Sequence, residues 1–94
     1  MRDQEYIGAP AALALSAAPE PIYGARARLD HDRRVLWVAV SWRDPGLSPV
    51  LREHALAAAQ AGVEQWRHLP EGYRVRVVPS RRKIEQAARR WRRY

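Results

Sequence analysis

Hydrophobic and polar residues alternate along residues 22–29 (IYGARARL), which predicts a half-buried β-strand. One side of that strand carries Tyr23, Ala25, Ala27 and Leu29, and the other carries Ile22, Gly24, Arg26 and Arg28. Residues 34–42 (RVLWVAVSW) are apolar on both faces, which is typical of a central strand. The polar residues between them favour a turn because aspartate side chains bond readily to nearby backbone. The two strands are therefore predicted to form a hairpin.

A long amphipathic helix is predicted to follow. Ser48 supplies a capping hydroxyl and Pro49 suits the first helical position, and the helix should run to about His68, before Pro70 and Gly72. Its apolar face comprises Leu51, Ala55, Leu56, Ala58, Ala59, Gly62, Val63, Trp66 and Leu69. Its polar face comprises Glu53, Gln60, Glu64, Arg67 and His68. The small residues on the apolar face should allow a close approach to a neighbouring element.

The last elements are a strand and a second amphipathic helix. Residues 73–78 (YRVRVV) alternate, with Tyr73, Val75 and Val77 inward and Arg74 and Arg76 outward. Residues 81–93 predict a helix with a narrow apolar stripe formed by Ile84, Ala87, Ala88 and Trp91. The resulting fold class is α+β, a small single domain in the order β-hairpin–α–β–α. Its three-stranded sheet should pack on the long helix, and the two strands that flank this helix should run parallel.

The first 21 residues are interrupted by Gly8, Pro10, Pro19 and Pro21, which predicts an N-terminal arm with a short helix near residues 11–18. The domain itself should span residues 22–94. The chain has 94 residues and no cysteine, which excludes disulfides, thiolate zinc sites and a cysteine nucleophile. A cytoplasmic location fits this composition, and the short apolar run at residues 9–18 neither spans a bilayer nor follows a basic leader.

Positive charge is concentrated at one end of the sequence. The formal net charge is +7, and residues 81–94 carry seven cations and one anion, so the remainder is nearly neutral. The cations of this basic segment are Arg81, Arg82, Lys83, Arg89, Arg90, Arg92 and Arg93. Three of them fill the predicted first helical turn, where unpaired N–H groups and the helix dipole favour an anion. A docked phosphate would satisfy both the backbone and the arginines, whereas a solvated basic face is the simpler alternative.

The segment SRRKIEQAARRWRR resembles the arginine-rich peptides with which some phage antitermination proteins bind RNA hairpins. That resemblance implies arginine contacts to phosphates and a tryptophan stacked on a loop base. Trp91 lies on the apolar stripe, however, which favours a role as an anchor in the core.

The outer face of the sheet is a second candidate surface. Strand parity places Arg26, Arg28, Trp37, Arg74 and Arg76 on this face. Arginines around an aromatic residue form a platform on which single-stranded nucleic acid can bind. The alternative is that the apolar residues of the central strand are buried under the N-terminal arm, the last helix or a second subunit.

Catalytic signatures are missing from the sequence. Asp30-His31-Asp32 is better explained by a polar hairpin turn than by a metal or acid–base site, and the other histidines, His54 and His68, are too far apart on one helix to share a metal. The predicted central strands contain no carboxylate, and the chain has no glycine-rich phosphate loop. We therefore expect no enzymatic activity, no cofactor and no metal.

These patterns favour a non-enzymatic nucleic-acid-binding protein that contacts the phosphate backbone through its C-terminal arginine-rich helix, with Arg74 and Arg76 as a second row. The sequence does not distinguish between DNA and RNA as the partner. The alternative is a small protein–protein interaction module, such as a subunit, inhibitor or assembly factor, whose basic helix binds an acidic partner protein. A homodimer is one form that this alternative can take. A membrane partner is disfavoured because the apolar stripe of the last helix offers little area to insert.

Overall fold

The computed structural model describes residues 4–80 of the chain, so the predicted basic helix lies outside the described residues. The elements are β1 (Gln4–Ile7), α1 (Gly8–Ala17), β2 (Ile22–Asp30), β3 (Val35–Trp42), α2 (Pro49–Val63) and β4 (Arg74–Pro79). The molecule is a small α+β domain, as predicted. Residues 4–18 of the predicted arm supply a strand and a helix of that domain.

One sheet contains the strands in the order β1-β2-β3-β4. Neighbouring strands are antiparallel from β1 to β3, whereas β3 and β4 run parallel because α2 carries the chain back to the starting end of the sheet. The three predicted strands are present, and β1 adds a fourth at the free edge of β2.

The core lies between the sheet and the two helices. Leu36, Val38 and Val40 point from β3 into this layer and are fully buried. The same cluster contains Ala14 and Ala18 from the first helical region and Ala55, Ala59 and Val63 from α2. Both described helices therefore cover the same face of the sheet, and the domain has two layers.

The two helices approach each other closely at Gly62. A Cβ atom built at this residue would lie 2.9 Å from the Cβ of Ala17 and 3.2 Å from the carbonyl oxygen of Leu13. Ordinary carbon contacts are about 3.5–4.0 Å, so no side chain fits between α2 and α1 at this point. The small residues of the α2 apolar face were predicted to allow a close approach to a neighbouring element, and at Gly62 that element is α1.

The start of α2 is as predicted, but its end and part of its face are not. Ser48 Oγ accepts a hydrogen bond from Leu51 N at 3.3 Å, and Pro49 is the first helical residue. The helix ends at Val63 rather than near His68, because the next residues form turns in which Trp66 N donates to Val63 O. Leu51, predicted as buried, is 53% exposed because the helix extends past the core at this end, and Ala58, predicted on the same apolar face, is also exposed.

Tyr23 also departs from the predicted face. Its strand carries a register shift between Ile22 and Gly24, which inserts one residue into the β2–β3 ladder. Ile22 therefore turns to the core face and is 1% exposed, whereas Tyr23 is 45% exposed.

Two backbone turns position the start of β4. Arg34, in the hairpin loop, has a φ of 56°, in the left-handed region that costs a non-glycine residue about 1 kcal/mol or more. Its carbonyl oxygen accepts a hydrogen bond from Arg74 N at 3.0 Å. Before β4, Tyr73 N donates to Pro70 O at 3.1 Å, and Gly72 supplies the φ of 84° that this turn requires.

The outer edge of β4 is closed by a side chain from α2. The Gln60 amide nitrogen donates to Val75 O at 2.8 Å, and its amide oxygen accepts from Val77 N at 2.9 Å. Pro79, two residues further along the same edge, has no N–H to offer. Gln60 was predicted to lie on the polar face of the helix. Its side-chain amide instead makes the two hydrogen bonds to β4 that the backbone of a neighbouring strand would otherwise make.

Candidate nucleic-acid interface

The strand register brings three of the predicted surface residues into one row. Trp37 of β3 pairs with Arg28 of β2 on one side and with Arg76 of β4 on the other. Side chains of paired residues point to the same face of a sheet, and neighbouring strands are about 4.8 Å apart. Trp37 is therefore flanked by an arginine on each side.

The two remaining arginines lie in the neighbouring rows of the same face. Arg26 pairs with Ala39, whereas Arg74 pairs with Val35. Residues two apart on a strand are separated by about 6.7 Å, so four arginines surround Trp37 within the reach of their side chains. The face opposite the helices is therefore the surface that strand parity predicted. We call these five residues (Arg26, Arg28, Trp37, Arg74 and Arg76) the arginine face.

Exposure differs across the arginine face. Arg26, Arg74 and Arg76 are exposed, whereas Arg28 and Trp37 are half-buried. Arg26 and Arg28 also take part in polar or ring interactions of their own. The exposed cations Arg74 and Arg76 therefore form the accessible side of the face, next to the indole ring.

Residues 8–18 of the N-terminal arm do not cover the arginine face. Ala14 and Ala18 pack in the same cluster as α2, on the opposite side of the sheet. Of the three covers considered for the central strand, these residues of the arm are therefore excluded, because the alanines of α1 pack against Gly62 and the core. Val35 is nonetheless buried and Ala39 half-buried on this side.

Asp30 is the acidic residue of the described strands that shares this face, and its carboxylate is committed to the hairpin loop. Its Oδ1 accepts from Asp32 N and from Arg33 N, each at 3.1 Å, and its Oδ2 lies 3.6 Å from the Arg33 guanidinium. Asp30 therefore organises the loop.

The pKa of the Asp30 carboxyl lies below its usual 3.8, mainly because the backbone N–H of Arg33 donates to it. Burial raises the pKa against this effect, and the Trp37 indole N–H, the Arg33 charge and the Asp32 N–H lower it further. The indole N–H is close enough to act on the carboxylate but falls short of hydrogen-bond geometry. Trp37 Nε1 is thus buried without a hydrogen-bond partner among residues 4–80.

Acid should destabilise the protein partly through Asp30. Because the folded pKa is depressed, its contribution to stability is complete above the unfolded pKa and is lost as pH falls through the folded value, below 3.8. Asp30→Asn keeps an oxygen acceptor for the loop but removes the charge, so we expect a smaller loss of unfolding free energy between about pH 5 and about pH 2. Urea unfolding across this range measures the difference. An equally steep loss in the variant would assign the acid sensitivity to other carboxylates.

The metal or acid–base hypothesis for Asp30-His31-Asp32 gains no support from the geometry. His31 Nδ1 is 2.6 Å from the Tyr73 hydroxyl, and the two rings meet edge to face. Within residues 4–80, no group of three or more His, Asp or Glu side chains is placed to hold a metal ion. The loop side chains are used to fix the hairpin and to hold it against the start of β4.

Sequence reasoning missed Arg34 as a neighbour of the arginine face. Its hydrogen bond to Arg74 N places the exposed hairpin arginines beside the start of β4. Parallel pairing of the two strands that flank the long helix was the available signal, because it brings the start of β3 and the start of β4 to the same end of the sheet.

The other predicted site residues, Arg81, Arg82, Lys83, Arg89, Arg90, Arg92 and Arg93, lie outside the described residues. In the part of the chain that is described, no helix has the length and apolar character needed to cross a membrane. The chain matches no protein-family model and has no significant match among curated proteins or solved structures.

Proposed function

We propose that this protein is a non-enzymatic nucleic-acid-binding protein whose arginine face contacts the phosphate backbone. The observation that carries the proposal is the row Arg28–Trp37–Arg76 on the sheet face opposite both described helices. Arginine is suited to phosphate because its guanidinium group presents several donors in a planar fork. The carboxylate of Asp30, on the same face, is engaged by its own loop and leaves the surface basic.

The basic segment at residues 81–93 is the second part of the proposal. Its seven cations follow β4 directly in sequence, and β4 carries Arg74 and Arg76. The two sets together would form one extended basic surface for an anionic backbone. We propose no base-specific contact, so recognition rests on backbone charge and on shape. Catalysis is not proposed, because Val35–Trp42 and Tyr73–Val78 contain no Asp or Glu.

A second candidate function is a protein–protein interaction module. The observation that favours it is the exposure of two adjacent apolar residues in the first turn of α2, Val50 at 60% and Leu51 at 53%. The partner would be a protein with a complementary apolar patch, a second copy of the chain included. This surface is on the helical layer, so its substitution should leave binding at the arginine face intact.

Binding of a labelled RNA hairpin, a single-stranded DNA and a duplex DNA across a salt series tests the first candidate. Arg74→Gln/Arg76→Gln should weaken binding and make the log–log salt slope shallower by about 1.5, because each lost phosphate contact contributes about 0.7–0.9 to that slope. Replacing Arg81, Arg82, Arg89 and Arg90 by glutamine should reduce the slope further. The measurement is fluorescence anisotropy with the nuclease-treated full chain.

Arg67→Gln is the matched control, since Arg67 is exposed and lies in the loop after α2, outside the sheet. It removes one unit of the same charge and should leave the slope nearly unchanged. If wild-type protein binds none of the three nucleic acids at low salt, the proposed function is wrong. A Leu51→Asp variant that abolishes self-association or capture of a purified partner would then favour the second candidate.

A further inference from the structure

Resting on the proposed function, we infer that the arginine face takes a single-stranded nucleic acid and that Trp37 stacks on one of its unpaired bases. Trp37 lies at the centre of the face and is half-buried, while its only polar side-chain atom, Nε1, is buried. The exposed part of this side chain is therefore ring carbon. A flat carbon surface between two arginines matches a nucleotide, which presents a flat base and a phosphate in one residue.

Double-stranded nucleic acid does not fit this arrangement as well. In a duplex the faces of the bases are covered by their neighbours, so a tryptophan on a sheet can reach the backbone but not a base face. An unpaired base can turn out and stack on the indole, while Arg74 and Arg76 follow the flanking phosphates. The single strand uses both the ring and the cations, whereas the duplex uses only the cations.

Two other occupants of the face are disfavoured by charge. A second copy packed face to face would set the exposed Arg74 and Arg76 of one copy against a basic face of the other, and like charges across an interface cost several kcal/mol. The basic segment of the same chain carries a net charge of +6 and would meet the same repulsion. A polyanion is the occupant that these arginine charges attract.

The experiment compares an oligonucleotide of about 12 nucleotides with its own duplex, for wild type and for Trp37→Leu. We expect Trp37→Leu to weaken single-strand binding about 5- to 150-fold, the range that corresponds to the loss of one base–aromatic stack, and to change duplex binding little. Trp37→Phe should recover part of the affinity. Trp66→Leu, which removes a half-buried indole from the helical layer, is the matched control and should bind as wild type does.

Tryptophan fluorescence supplies a readout that is independent of affinity. The single strand should quench wild-type emission, and Trp37→Phe should lose most of that change while it still binds. The duplex should produce no comparable quenching. Circular dichroism and thermal unfolding show whether Trp37→Leu is folded, and if it is not, the Trp37→Phe comparison decides.

The outcomes separate the inference from the proposal on which it rests. If Trp37→Leu binds the single strand as wild type does while Arg74→Gln/Arg76→Gln binds both forms weakly, base stacking is wrong and the proposed function stands. If Arg74→Gln/Arg76→Gln has no effect on either form, the arginine face is not the binding surface and both fail. The inference is also overturned if polyglutamate displaces the single strand at equal charge concentration, or if sedimentation shows a dimer in which Trp37 is protected from quenching.

Discussion

Gly62→Ala should lower the free energy of unfolding by about 2 kcal/mol, as overpacking of a close contact does. At an exposed helical position the same substitution would raise it by about 1 kcal/mol, because alanine forms helices better than glycine. The difference in sign arises because the new Cβ would lie 2.9 Å from Ala17 Cβ and 3.2 Å from Leu13 O. Neither atom is the end of a flexible side chain, so α1 and α2 must move apart. Urea unfolding followed by circular dichroism measures the change.

A second substitution identifies the contact responsible. Ala17→Gly removes one of the two close atoms, so Gly62→Ala should cost less in the Ala17→Gly background than in wild type. Ala58→Gly, at an exposed position of the same helix, gives the effect of helix propensity alone and should cost about 1 kcal/mol. A stabilising effect of Gly62→Ala would contradict the close contact between α1 and α2 at this residue.

Gln60→Leu should destabilise the protein by about 2 kcal/mol, because it leaves Val75 O and Val77 N without their partner at a partly buried edge. The aliphatic part of the side chain is conserved in this variant, so the loss reports on the two hydrogen bonds. Gln65→Leu is the matched control, since Gln65 is exposed just after the same helix and should change stability by less than about 0.5 kcal/mol. Thermal unfolding of the three proteins tests this.

Gln60→Glu tests the hydrogen bond to Val75 O separately from the one to Val77 N, because the new carboxyl group can donate only when it is protonated. A carboxylate can still accept from Val77 N, but it cannot donate to Val75 O and would also lie close to Glu64, whose carboxylate is 3.3 Å from the present amide nitrogen. Both effects raise the folded pKa of the new group above its unfolded value of about 4.3. The variant should therefore gain stability relative to wild type as pH falls from about 7 to about 4.5. A pH-independent difference would show that Val75 O does not need the donor.

The sequence predicted β4 because its polar and apolar residues alternate with a period of two, and it predicted β3 because a short run that is apolar on both faces is typical of a central strand. The position of Tyr23 was not predictable in the same way, since a one-residue shift in the β2–β3 ladder turns a side chain to the other face without changing the residue pattern. The arginine face followed from strand parity, because the row Arg28–Trp37–Arg76 lies beyond that shift.

The limits of α2 and the role of Gln60 depended on tertiary contacts. Trp66 and Leu69 continue the helical period in sequence but pack on the core from a loop, because the chain must turn back to enter β4. A glutamine on a helix is polar in any pattern, so its position opposite the edge of β4 could be known only once α2 was placed beside that strand. Function is less determined than fold, because an arginine face is defined by charge and shape and not by a sequence motif.

The parallel pairing of β3 and β4 determines the order in which the sheet can assemble. The β2–β3 hairpin closes through the short loop between Asp30 and Val35, which is a local event. The pairing of Val35 with Arg74 must instead close a loop that contains the whole of α2, and the entropy of that closure is lost before any ladder bond is formed. We therefore expect the contacts of Gln60 with β4 to form late in folding. Until β4 pairs, β3 is the edge strand of the sheet, and we expect this unpaired edge to favour aggregation.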